Sequence, residues 1–210
     1  MSKIVIFDMD GTLLDSRKDI TISINHIRNL NHSLPPLSEE FIVESINKET
    51  KVLPKLFYET QTYEKKDMLA FEEHYRVQCT QHLYLYDGIK EMLLKLQNAE
   101  VKLSVATNAP SQFAKIMLSS LDVDKLFDTI IGADKVKNSK PNPEMLHKVL
   151  DSYSYNKSND SAWMIGDSQK DMQSAKNADI NALFASWGFS PNDTHDIVLK
   201  NPNEIVDIVL

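Results

Sequence analysis

Two short apolar runs constrain this chain more than anything else in it. Lys3-Ile4-Val5-Ile6-Phe7 leads directly into Asp8-Met9-Asp10-Gly11, and Ala162-Trp163-Met164-Ile165 leads into Gly166-Asp167. Runs too apolar to alternate read as strands buried on both faces. Two buried strands therefore end in turns that carry carboxylates. Glycine is scarce, with only Gly11, Gly88, Gly132, Gly166 and Gly188 among 210 residues, so each is expected to mark a turn that the backbone requires. Open α/β sheets place their function at such strand ends.

Three more segments read as strands: Val101 to Ala106, Asn181 to Ala185 and, more weakly, Phe127 to Ile131. Helical patterns separate them. Ile89, Met92, Leu93 and Leu96 repeat at i, i+3, i+4, i+7, and Asn142-Pro143 starts a helix that turns Met145, Leu146, Val149 and Leu150 inward. Strands alternating with helices predict an α/β fold, a Rossmann-like parallel sheet core with helices on both faces. Residues 16–85 break the alternation. Ile20, Ile24 and Ile27, then Met68, Phe71, Tyr75 and Cys79, keep helical spacing with no convincing strand between, and Asn31 to Ser38 reads as an inter-helix loop. This predicts an inserted small α-helical cap domain at 16–85, with the core formed by 1–15 and 86–210. The insertion follows the first carboxylate turn, where a lid could close over a substrate.

Composition narrows the partners. Lys and Arg number 23 against 30 Asp and Glu, a formal charge of -7, which disfavours a broad cationic surface for nucleic acid or anionic lipid. No apolar run approaches the roughly 18 residues that would span a bilayer. A single cysteine, Cys79, allows no internal disulfide, and a reducing cytoplasm is the expected compartment. Cys79, Trp163 and Trp187 are read as packing residues.

Four motifs carry chemistry, and each has an ordinary alternative. In Asp8-Met9-Asp10-Gly11-Thr12, side chains two apart on an extended segment point the same way, so one carboxylate could attack a bound group while the other moves a proton. The same residues also suit a plain turn. Thr107-Asn108 ends a strand and can donate to phosphoryl oxygens, or can simply precede a helix. Lys140-Pro141 could set an ammonium against developing negative charge, or be a surface lysine. In Gly166-Asp167-Ser168-Gln169-Lys170-Asp171, two acids one helical turn apart suit a metal, or cap a helix. Taken together, the topology brings these segments to one crevice. Asp8, Asp10, Asp167 and Asp171 would then crowd together and need countercharge, from Lys140 and a divalent cation. Oxygen-only ligands favour magnesium over zinc, and the six histidines show no metal-ligand spacing. Backbone N–H groups of the Gly11 turn add donors for a phosphoryl group.

The four motifs, in this order and spacing, resemble those of the haloacid dehalogenase-like superfamily over nearly the whole chain, specifically its magnesium-dependent phosphatases with a small helical cap. Asp8-Met9-Asp10-Gly11-Thr12-Leu13-Leu14-Asp15-Ser16 with Asp19-Ile20 is most similar to the phosphoglycolate phosphatase-type members. The resemblance implies Asp8 as nucleophile, Asp10 as general acid and base, and Thr107 and Asn108 as phosphoryl ligands. It also implies that Lys140 steadies that group and that Asp167 with Asp171 holds Mg2+. The expected substrate is a small phosphorylated metabolite, hydrolysed through an aspartyl-phosphate by a monomer or homodimer. A phosphosugar mutase would share every motif, and a non-catalytic phosphate-binding scaffold is a more distant alternative. Arg17, Lys48 and Lys51 are candidate contacts for a second anionic group on the substrate. Two departures stand out: Asn47-Lys48-Glu49-Thr50 lacks a glycine common in that loop of relatives, and Ala178-Asp179 replaces a frequent Ala-Gly.

Overall fold

The structure, a computed structural model, describes residues 1–47, 52–190 and 195–210. In chain order its elements begin with β1 (Lys3–Phe7) and β2 (Leu14–Asp15), followed by the helices α1 (Arg17–His32), α2 (Glu39–Asn47), α3 (Leu53–Tyr58) and α4 (Lys65–Gln78). Then come β3 (Tyr84–Leu85), α5 (Ile89–Asn98), β4 (Lys102–Ala106), α6 (Ser111–Ser120), β5 (Thr129–Ile131) and α7 (Glu144–Ser152). The chain closes with β6 (Ser161–Gly166), α8 (Gln169–Asn177), β7 (Asn181–Ala185), β8 (Val198–Leu199) and α9 (Asn203–Val209). Two compact units result: Met1–Asp15 with Tyr84–Leu210, and Ser16–Leu83.

The first unit is built on a parallel six-stranded sheet of order β5-β4-β1-β6-β7-β8. β1 sits centrally because it is apolar on both faces, pairing Ile4 to Phe7 with Lys102 to Val105 on one side and Lys3 to Phe7 with Ser161 to Ile165 on the other. Successive side chains of a strand alternate between faces. Ile4, Ile6, Ala162 and Met164 pack against Met145, Leu146, Val149 and Leu150 of α7 and Ala175 of α8. Val5 and Phe7, equally buried, point to the opposite face, where α5 packs on β4 and on α9, and Phe7 meets Phe127 edge to face. Helices thus cover both faces. From β1 the chain builds outward first through β4 to β5, then through β6 to β8, so the order reverses at β1. A crevice opens at such a reversal, beyond the carboxyl ends of the strands.

Several local details differ from the sequence expectation. Helix α7 starts at Glu144, one residue late, although the Asn142 side chain still accepts a hydrogen bond from the Glu144 N–H at 3.0 Å. A two-residue antiparallel ladder, Leu14 with Leu85 and Asp15 with Tyr84, closes the base of the insertion and is too short to show a period. Helix α8 ends at Asn177 with Ala178 as its C-cap, and Asp179 takes the left-handed conformation (φ 55°) that glycine fills most readily and that aspartate tolerates better than most residues.

The second unit is helical. Ile24, Ile27, Ile42, Phe57 and Tyr58 form its core, with Ile20, Leu37 and Phe71 packed against them. Met68, expected on the inner stripe of α4, is 51% exposed, and its neighbour Asp67 points inward instead, 1% exposed. Asp67 stays buried because the Asn31 amide donates to its Oδ1 at 2.8 Å and His32 Nε2 lies 3.0 Å from the same oxygen. Asp19 is held likewise, by Gln78, the His82 N–H and the His82 ring at 2.7–2.9 Å. Cys79 is fully buried, and among the described residues no helix is long and apolar enough to cross a membrane.

Candidate active site

Three of the four motifs lie at a strand's carboxyl end, where hydrogen bonds to the backbone hold them, and Lys140-Pro141 lies in the irregular segment between β5 and α7. Asp8 follows β1 and its N–H donates to the Ile165 carbonyl of β6 at 2.8 Å, tying the two central strand ends together. The chain then reverses tightly. The Thr12 and Leu13 N–H groups donate to the Met9 carbonyl and the Gly11 N–H to that of Leu14, with Gly11 at φ 84° where a side chain is strained. Thr107 follows β4, and its hydroxyl oxygen accepts the Ala109 N–H at 3.0 Å, leaving its own proton free to donate elsewhere. Asp167 follows β6. The Ser168 hydroxyl and N–H both donate to Asp171 Oδ2, and the Ser168 side chain accepts the Asp171 N–H to complete a capping box that starts α8 and fixes the Asp171 rotamer.

These segments meet around Lys140, whose ammonium is buried and donates to Asp8 Oδ1 and Asp171 Oδ1, each at 2.6 Å. Asp8, Asp167 and Asp171 each bring one oxygen within 4.8 Å of the others. Among the described residues that is the group of three or more such ligands that converges. Asp10, expected as a fourth, does not join it through its carboxylate. It is half-buried and bridges to Leu14 through its backbone. The histidines stay outside as well: His32 and His82 serve buried aspartates of the helical unit, and His26 stacks on His74.

The charges do not balance. Three carboxylates share one ammonium, and at about 4.8 Å with an effective dielectric near 20 each like pair costs roughly 3.5 kcal/mol. Burial pushes the Asp8 carboxyl up to about 7, with Asp171 and Asp10 adding to the rise and Lys140 pulling against it. Burial raises Asp167 well above the ordinary carboxylate range, with Asp8 and Asp171 reinforcing the effect. Burial would lower Lys140, but Asp171 and Asp8 more than reverse it and leave the ammonium above its ordinary value. A divalent cation held by carboxylate oxygens would supply the missing charge. A buried all-oxygen donor set without sulfur or imidazole suits a hard ion such as Mg2+.

Sequence reasoning missed the segment after β7. The Phe189 N–H donates to Asp167 Oδ2 at 2.7 Å, the Thr12 hydroxyl to Asp167 Oδ1 at 3.3 Å, and Trp187 Nε1 to the Thr12 carbonyl at 3.0 Å. Gly188 lies so close between them that a Cβ there would overlap the Gly11 carbonyl oxygen and the Asp167 side chain. The one available signal was Gly188 itself, a scarce residue just past a buried strand. Trp187, read as packing, also carries a hydrogen bond. Arg17 opens α1 in the helical unit, and Lys48 and Lys51, with the Lys48-Glu49-Thr50 part of that loop, lie outside the described residues.

An aspartate at the end of the central strand, paired with a buried lysine and two more carboxylates on a doubly wound parallel sheet, defines a class of phosphoryl-transferring hydrolases. Residues 5–185 match the haloacid dehalogenase-like hydrolase family, and the chain belongs to it. Within that family it falls among the phosphoric monoester hydrolases. A phosphoglycolate phosphatase of Colwellia psychrerythraea is 30% identical over 198 residues, 90% of this chain and 86% of that one. An N-acetylmuramic acid 6-phosphate phosphatase of Pseudomonas aeruginosa is 27% identical over 220 residues, 99% of this chain and 94% of that one. Among solved structures, a HAD-superfamily hydrolase of subfamily IA from Geobacter sulfurreducens superposes with a TM-score of 0.76 at 24% identity, covering 99% and 100% of the two chains. A Thermotoga maritima structure provisionally assigned as a β-phosphoglucomutase gives 0.71 at 24% identity, covering 98% and 97%, a likeness of fold.

Proposed function

We propose that this protein is a magnesium-dependent phosphatase that hydrolyses a small phosphorylated metabolite of the phosphoglycolate type through an aspartyl-phosphate on Asp8. The observation that carries the reading is the buried Lys140 ammonium, bonded at 2.6 Å to both Asp8 and Asp171, in a group that Asp167 leaves short of positive charge. Asp8 and Asp167, with Asp171 beside them, would hold Mg2+, which supplies charge to offset repulsion between the carboxylates and an anionic substrate.

The chain's own groups then perform two displacements. Lys140 engages Asp8 Oδ1, and an Asp8 oxygen attacks phosphorus as the bond from phosphorus to the leaving oxygen breaks. Asp10, outside the carboxylate group, gives its proton to that leaving oxygen and the alcohol departs. Asp10 then takes a proton from water, whose oxygen attacks phosphorus and breaks the bond to Asp8, freeing inorganic phosphate. The Thr107 hydroxyl holds a phosphoryl oxygen and Lys140 balances its charge, whereas the Gly11, Thr12 and Leu13 N–H groups, expected as further donors, are taken up by carbonyls of their own turn. Substrate choice is assigned to the inserted helical unit, including Arg17, Lys48 and Lys51. A reducing cytoplasm accords with the single buried cysteine, and the chain is taken to act as a monomer or homodimer.

The test is release of inorganic phosphate from 2-phosphoglycolate, N-acetylmuramic acid 6-phosphate and a panel of sugar phosphates, with Mg2+ and with chelator. Mg2+-dependent release that Asp8→Asn abolishes is expected. Release by Asp8→Asn at the wild-type rate would overturn the covalent route, and phosphate moved between positions of one sugar would place the chain with the mutases.

A further inference from the structure

We infer that Asn108 is a positioning residue that fixes Lys140. The inference deepens the phosphatase reading and rests on it. The resemblance places Asn108 on the phosphoryl group, yet both polar ends of its side chain are engaged elsewhere. Its Nδ2 donates to the Lys140 carbonyl at 3.0 Å and its Oδ1 accepts the Lys140 N–H at 3.0 Å. One amide thus pairs with both backbone groups of a single residue across 32 positions of sequence, as a neighbouring strand would.

The pairing matters because of what Lys140 has to do. Its ammonium must sit 2.6 Å from two carboxylates, one just past the end of β1 and one in the first turn of α8, at the tip of a side chain with four rotatable bonds. Where that tip falls depends on where the backbone starts. Lys140 lies in an irregular segment with no sheet or helix partner to set that point. Nearby anchors hold its flanks: the Glu144 carboxylate accepts the Lys137 and Asn138 N–H groups at 3.0 Å, and Asn177 Nδ2 donates to the Pro141 carbonyl at 3.0 Å. Among the described residues, it is the Asn108 side chain that grips the Lys140 backbone itself, from the rigid end of β4. Aspartate would lose the donor for the carbonyl, alanine would lose both bonds, and glutamine would place the amide a methylene too far. A displacement near 1 Å of a charge-stabilising group is enough to cost about 100-fold in rate.

The test is a double-mutant cycle on kcat and KM with Mg2+ and an aryl phosphate. Asn108→Ala is expected to lower kcat by about 10- to 100-fold with KM changed less than about twofold. In a Lys140→Ala background, the same change should cost less than about twofold, since one residue acts through the other. Hydrogen exchange at the Lys140 amide should accelerate by at least about tenfold in Asn108→Ala, with wild-type protection retained in β1 and β6. Should Lys140→Ala fall below detection, the exchange measurement decides. Losses that multiply, a rise in KM with kcat unchanged, or unaltered exchange at Lys140 would overturn the positioning role. A wild-type protein that releases no phosphate from any ester would remove the phosphatase reading and this role with it. An active wild type with multiplying losses would remove this role alone.

Discussion

Asp8 does two things that pull in opposite directions. As the proposed nucleophile it would have to be ionised, yet it is buried beside Asp167 and Asp171 with one ammonium among them, and burial raises its carboxyl to about 7. The ionised form is therefore the one the metal-free fold disfavours. Replacing Asp8 with its neutral isostere removes a charge from that group and leaves the shape alone. Asp8→Asn is expected to lose activity by on the order of 10⁴-fold or more, and to gain on the order of 1–3 kcal/mol of stability in chelator at pH 8. Urea denaturation at that pH checks the second half. A variant less stable than wild type would mean that the bond from Lys140 outweighs the repulsion. The same reasoning separates what was readable at this scale from what was not. Asp8 and Asp167 were legible as acids set directly after buried strands, and Lys140 and Asp171 only through the order and spacing of the four motifs taken together. Asn108 was legible as a residue of the site but not in its role, because its partners are backbone atoms and every residue carries those.

At the scale of elements, the turn after β1 and the segment after β7 form one unit. Trp187 holds the Thr12 carbonyl, Phe189 holds Asp167, and Gly188 fills the gap that a side chain would block. Gly188→Ala must push apart the Gly11 turn and Asp167, both fixed by backbone hydrogen bonds, so the collision cannot relax by a rotamer change. A loss of about 2–4 kcal/mol in urea denaturation is expected, with Mg2+ affinity by calorimetry weakened at least about tenfold. Unchanged affinity would show that this segment does not set Asp167. Strands β1, β4, β6 and β7 were legible as short apolar runs bounded by turn signals, and helices α5 and α7 because burial of one face leaves a period in the sequence. The segment after β7 left none, since it works through a main-chain N–H and the absence of a side chain. In α4 the period misled: Met68 fits the apolar stripe, but Asn31 and His32 make an inward carboxylate at Asp67 the better-bonded choice.

For the whole molecule, the carboxylate group links folding to pH and to metal. Asp8 and Asp167 both have carboxyls raised above their values in the unfolded chain. Between about pH 4 and pH 7 the folded protein therefore keeps protons that the unfolded chain has released, and this contribution to stability fades as pH rises through the folded values. Metal-free protein should melt progressively lower from pH 5 to pH 8 on this account. A cation that binds ionised carboxylates competes with those protons, so its benefit must run the other way. At a free Mg2+ concentration near a hundred times its dissociation constant, the gain is about 2.7 kcal/mol, or roughly 5–10 °C for a chain of this length. The rise in melting temperature on adding Mg2+ is expected to be of that size at pH 8 and to shrink towards zero at pH 5. The carboxylates proposed to hold the metal all belong to the sheet-bearing unit, so where scanning calorimetry resolves two transitions only that unit's should move. A shift equal at both pH values, or confined to the helical unit, would mean that the acids gathered around Lys140 are not where the metal binds.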